Sequence, residues 1–140
     1  MRDINELLAT MKTGPMRAKP KTPASISPLR SLRRKIQRFA QERDWEQFHT
    51  PKNLAMAMSV EASEIVELFQ WLTPGESQLL DKPKRRALEE EIGDVMIYLI
   101  NLGDKFDIDP ARAAEKKLAI NAKKYPVRLV KGKANKYTEY

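Results

Sequence analysis

The sequence predicts an all-α protein, an antiparallel four-helix bundle. Three observations predict it. Apolar residues recur at helical spacing in separate stretches, helix-start signals precede three of those stretches, and no stretch keeps the period-two alternation of a strand.

Taken in order, Ile4, Leu7, Leu8 and Met11 give residues 1–12 the pattern of a short amphipathic helix. Residues 13–28 hold Gly14 and prolines 15, 20, 23 and 28, the composition of a mobile linker, so 1–28 is read as an appendage. The domain proper spans 29–126. Leu29, Leu32, Ile36 and Phe39 mark one face of a first helix ending near Arg43. Thr50-Pro51 then supplies a capping hydroxyl and a proline at the first helical position, which predicts a helix from 51 to about 72. Pro74-Gly75 ends it, and a polar loop follows. Asp81 with Pro83 starts a third helix reaching about Phe106, and Asp109-Pro110 starts a fourth. Tyr125-Pro126 stops the fourth, because a residue before proline resists helical angles. Residues 127–140 are read as a basic tail.

Composition narrows the function. The chain has 140 residues, enough for one domain. It has no cysteine, which rules out disulfides, thiolate metal sites and cysteine nucleophiles and suits the cytoplasm. No apolar run nears the roughly 18 residues of a membrane span, and no secretory signal is expected. The net charge of +7 suggests an anionic partner. The lysines and arginines concentrate near the two ends and are not interleaved with stacking aromatics, so a nucleic-acid-binding module is the alternative rather than the first reading.

The chemistry lies in four carboxylates. On the second helix Leu54, Met58, Ile65, Leu68 and Leu72 form an apolar stripe with Glu61 near its middle and Glu64 on its shoulder. On the third, Leu88, Ile92, Val95, Leu99, Leu102 and Phe106 form a stripe flanked by Glu91, Asp94 and Tyr98. Residues three apart lie side by side on a helix, so two neighbouring antiparallel helices would bring four carboxylates together. A buried carboxylate needs a partner or a metal. An all-oxygen donor set favours a hard cation, magnesium or manganese. A di-iron bundle would need Glu-x-x-His pairs, and the only histidine, His49, lies outside both helices. It is read as a cap or surface residue. Glu67 continues the series but points further from the stripe.

Glu61-x-x-Glu64 followed by Glu91-x-x-Asp94 resembles the metal motif of the MazG-like nucleotide pyrophosphohydrolases. The segments ERDWEQFH (42–49), ELFQW (67–71), EEIGDVMIYL (90–99), NAKKYP (121–126) and KYTE (136–139) resemble the single-domain dCTP pyrophosphatase branch. The resemblance covers residues 29–140. It implies a helical bundle assembling as a dimer or a dimer of dimers, and magnesium-dependent cleavage between the α and β phosphates of dCTP or a modified dCTP. By motif position, Glu61, Glu64, Glu91 and Asp94 would be the catalytic metal ligands. Lys117, Asn121, Lys124 and Tyr125 would contact phosphate or sugar. Trp45, Trp71 and Tyr98 would line the base pocket, with Phe39, Phe48 and Asn53 as weaker candidates. Some relatives of this branch carry a histidine on the first helix where this chain has Ile36, so base recognition is expected to differ. A dUTP-directed or relaxed enzyme on the same scaffold is the nearer alternative.

Overall fold

The structure is a computed structural model and describes residues 28–134. The expected helix over 1–12, the linker up to residue 27 and the last residues of the tail lie outside the described residues. Within them the chain is helical and has no strand. Helix α1 spans Pro28–Gln41, α2 Pro51–Phe69, α3 Lys82–Asp104, α4 Pro110–Lys124 and the short α5 Val127–Val130, with a 3-10 turn at Glu76–Gln78 between α2 and α3.

Side chains cap three of the helices. The Thr50 hydroxyl accepts from the Asn53 amide, the Asp81 carboxylate from that of Lys84, and the Asp109 carboxylate from those of Ala111 and Arg112. Each satisfies amide groups that a helix start leaves unpaired. The ends of α1 and α3 share another device. Asp44 (φ 54°) and Asp107 (φ 52°) take left-handed backbone angles, which short polar side chains tolerate. The following amides reach back five residues, Trp45 to the Ala40 carbonyl at 3.0 Å and Ile108 to that of Gly103 at 2.9 Å. This reversal turns the chain sharply and fixes the residue after it against the helix it has left.

The helices α2 and α3 form an antiparallel hairpin and make the most extensive contact, and α1 packs across α3. Ile36, Ala40, Leu54 and Ile100 are the buried apolar residues of this core. A charged network fastens the end of α3 to the middle of α1, where Arg33 pairs with Asp104 and the Gln37 amide donates to the same carboxylate.

Three findings differ from the expected stripes and ends. Ile92, Leu99 and Phe106 are exposed in the single chain, while Ile100 and Asn101 face inward. The helix α3 is apolar on more than one side, and the described residues cover it mainly on the side facing α1 and α2. Along α4, everything between Pro110 and Asn121 is exposed, so the fourth helix is only lightly packed on its own chain. The tail opens with one further helical turn, α5.

Candidate active site

The carboxylates converge at the middle of the α2–α3 hairpin. Glu61, Glu64 and Glu91 each bring an oxygen within 4.8 Å of the others, as the i, i+3 spacing on two adjacent helices requires. Asp94, one turn beyond Glu91, lies near enough to repel both Glu61 and Glu91. Burial pushes the Glu61 carboxyl above its ordinary range, and the charges of Glu64 and Asp94 push it further. The same holds for Glu91, through burial first and then the charges of Glu64, Glu61 and Asp94. Among the described residues Glu91 Oε2 is buried without a hydrogen-bond partner. An orphaned carboxylate oxygen inside a cluster of like charges is what a bound cation would satisfy. The donors are all carboxylate oxygens, so the set fits a hard divalent ion. These four residues could hold magnesium.

Asp94 also opens onto a cavity of about 410 Å³, within the range of small-molecule sites. One wall comes from α1, through Lys35, Ile36, Phe39 and Ala40. Trp45 and His49 of the α1–α2 connector form a second wall, and Asp94, Ile97, Tyr98 and Asn101 of α3 a third. The chain reversal at Asp44 places Trp45 here. Its ring meets that of Phe39 edge-on at 5.7 Å, and the Arg43 guanidinium lies 3.6 Å from the centre of the Phe39 ring. His49 stands edge-on to Trp45 at 6.4 Å. It lines the cavity and leaves the capping of α2 to Thr50, which corrects its reading as a cap.

Of the residues singled out in the sequence, the structure brings Glu61, Glu64 and Glu91 together, sets Asp94 near enough to repel Glu61 and Glu91, and places Asp94, Trp45 and Tyr98 on the cavity walls. Of the weaker candidates Phe39 lines the cavity. Phe48 and Asn53 do not; the Asn53 amide instead donates to the Phe48 carbonyl at 2.9 Å and steadies the connector. Trp71 stands at the end of the hairpin, 87% exposed and off the cavity. Lys117, Asn121, Lys124 and Tyr125 lie on or just past α4 and are likewise off this cavity in a single chain. Lys35, Ile97 and Asn101 were not singled out. For Asn101 a signal existed: it is a polar residue within the apolar run IYLINL, and it extends the series Glu91, Asp94, Tyr98 along one face.

A fold that is helical throughout the described residues, with a carboxylate cluster beside an aromatic-walled cavity, suits an enzyme that depends on a divalent metal. The chain belongs to the MazG-like family, whose model matches residues 56–140. It is 45% identical to dCTP pyrophosphatase 1 of Rattus norvegicus over 122 residues, covering 84% of this chain and 72% of that protein. It is 45% identical to the protein of the same name from Homo sapiens over 120 residues, 82% and 71% of the two chains. A pyrophosphatase of known crystal structure from Archaeoglobus fulgidus superposes with a TM-score of 0.70 at 36% identity, covering 76% of this chain and 99% of that one. The expected family and the all-helical fold are thereby borne out, and the relatives named are pyrophosphatases.

Proposed function

We propose that this protein is a magnesium-dependent nucleoside triphosphate pyrophosphohydrolase acting on dCTP or a modified dCTP. The observation that carries the proposal is the position of Asp94, which lines the aromatic cavity and lies near enough to Glu61 and Glu91 of the carboxylate cluster to repel both. A triphosphate seated with its phosphates at the cluster would lay its base beside Trp45 and Tyr98, where a flat ring can stack. Glu61, Glu64, Glu91 and Asp94 would hold the cation, which when bound neutralises phosphate charge and acidifies a water. A carboxylate of the cluster would orient an attacking water and take its proton as the water oxygen bonds to a phosphorus of the α–β linkage. The bridging bond from that phosphorus would break as the new one forms, and a nucleoside monophosphate and pyrophosphate would leave. The dCTP preference rests on the name shared by the mammalian relatives.

Assembly from two or four copies belongs to the same proposal. Trp71 and Val127 are exposed by 87% and 74% and Leu118 on α4 by 69%, apolar area that a partner would cover. A second copy would give α4 a surface to pack on and could carry Lys117, Asn121, Lys124 and Tyr125 toward phosphate or sugar, and Trp71 toward a base. No helix among the described residues is long and apolar enough to cross a membrane. The cytoplasmic location expected from the cysteine-free composition stays part of the proposal.

The test is pyrophosphate release from dCTP, dUTP, dTTP, dATP and dGTP, each with magnesium and with EDTA. Magnesium-dependent release led by dCTP is expected. Release led strongly by dUTP would move the substrate to the nearer alternative. Salt-dependent DNA or RNA binding with no triphosphate turnover would replace the enzyme with a basic binding module.

A further inference from the structure

The cavity holds a polar group that the reaction does not need. Asn101 is 9% exposed and is the buried polar residue of the described core. Its backbone carbonyl caps the end of α3, but its side chain makes no hydrogen bond among the described residues. The carboxamide is not sealed in the core, because it lines the cavity. An amide that lines a cavity without a protein partner is free to hydrogen-bond a ligand, and a few such polar groups fix a ligand's orientation in an apolar pocket.

The position of Asn101 shows what would use it. It lies seven residues beyond Asp94, two helical turns along the same face, with Tyr98 between them. At the rise of an α-helix this is about 10 Å from Asp94, the carboxylate that lines the cavity. That separation matches the reach of a nucleotide from its α-phosphate through the sugar to the edge of its base. Of the other polar residues of the cavity, Asp94 lies near the cluster, Lys35 is exposed, His49 stands edge-on to Trp45, and Trp45 and Tyr98 offer rings on which a base can stack. The facing α1 wall is the apolar side chain of Ile36.

From this geometry we infer that Asn101 is a specificity-determining residue, which reads the N3–C4 edge of a pyrimidine base. The inference rests on the pyrophosphohydrolase reading above. A carboxamide offers an acceptor and donors side by side. Its carbonyl accepts from the exocyclic amine of cytosine while its NH2 donates to N3. Uracil fits after the amide turns over, its N3–H donating to the carbonyl and its O4 accepting from the NH2. No side-chain hydrogen bond among the described residues holds the amide in one orientation. Asn101 therefore admits either pyrimidine edge, and its loss should weaken both.

The experiment compares kcat/KM for dCTP, for dUTP and for the dCTP analogue whose pyrimidin-2-one base lacks the C4 amine, in wild type and Asn101→Ala. The wild type is expected to favour dCTP over the analogue by roughly tenfold. In Asn101→Ala, dCTP and dUTP should fall by roughly 10- to 100-fold, and the preference over the analogue should collapse to within about twofold. Magnesium dependence should persist. A preference that survives in Asn101→Ala, or is absent from the wild type, overturns the inference and leaves the enzyme reading standing. Asn101→Leu keeps the volume filled should the alanine variant melt below the assay temperature. If the wild type turns over no triphosphate, the enzyme reading fails, and calorimetric binding of dCMP decides the role of Asn101. Binding weakened by the same factor in the variant supports the edge contact, and equal binding overturns it.

Discussion

Glu61 and Glu91 sit where burial and their neighbours oppose ionisation. Their folded-state pKa values lie above the ordinary 4.5, so the folded chain binds these protons more tightly than the unfolded one. Their contribution to stability is complete below the unfolded value and is lost as pH rises through the raised one. Glu76 has the opposite sign. Hydrogen bonds from the Thr73 amide and hydroxyl lower its pKa, so its contribution is present above 4.5 and lost as pH falls through the lowered value. In EDTA, Glu61→Gln should therefore gain stability relative to wild type as pH is raised from about 4.5 toward neutral. Urea denaturation at several pH values measures the difference, from which Glu76 cancels. A stability of Glu61→Gln that falls relative to wild type as pH rises would contradict this account of the cluster. Magnesium, binding only the folded chain, should raise the denaturation midpoint of the wild type and do so less for Glu61→Gln. At this scale the sequence was informative where charge conflicts with an apolar face. Glu61 conflicts with its stripe, and Asn101 breaks the apolar run of α3, though only packing shows that it faces a cavity.

The elements are positioned by their ends. A Cβ built on Gly103 would lie 2.5 Å from the Ile108 carbonyl oxygen, so the reversal into α4 depends on a residue without a side chain. Gly103→Ala should destabilise the protein by roughly 1–3 kcal/mol, because the clash is with backbone that cannot rotate away. Asp109→Ala, which leaves the Ala111 and Arg112 amides without their side-chain acceptor, should cost about 1 kcal/mol. Thermal melts of both variants check these values, and unchanged midpoints would contradict them. The helix starts at Thr50, Asp81 and Asp109 were legible because a cap followed by proline is a local signal. The exits from α1 and α3 were less so. Aspartate in a left-handed turn has no distinctive spacing, and the hydrogen bonds from Trp45 and Ile108 that define these turns become visible only in three dimensions.

For the whole molecule, the decisive feature is surface that one chain leaves uncovered. Ile92, Met96, Ile97 and Leu99 of α3 are at least 37% exposed, next to a core whose buried apolar residues, among the described residues, are Ile36, Ala40, Leu54 and Ile100. A core that small suits a chain completed by another copy. Sedimentation equilibrium at micromolar concentration should give at least a dimer, and a stable folded monomer would contradict the assembly proposal. This scale also explains what the sequence could not resolve. The cavity forms where α1 and the Trp45 connector meet α3, a contact between segments more than forty residues apart that no periodicity encodes. The roles read for Lys117, Asn121, Lys124, Tyr125 and Trp71 depend on surfaces that a single chain does not bring to that cavity.

The central claim is that the carboxylate cluster is the reaction centre. Pyrophosphate release from dCTP with magnesium, by wild type and by folded Glu61→Gln at equal concentration, tests it most directly. Removing a group that only supports a metal ligand typically costs 10- to 100-fold, so removing a ligand itself should cost roughly 100-fold or more. A loss of that size with the fold intact is the predicted result. Near-normal release from folded Glu61→Gln would contradict the account.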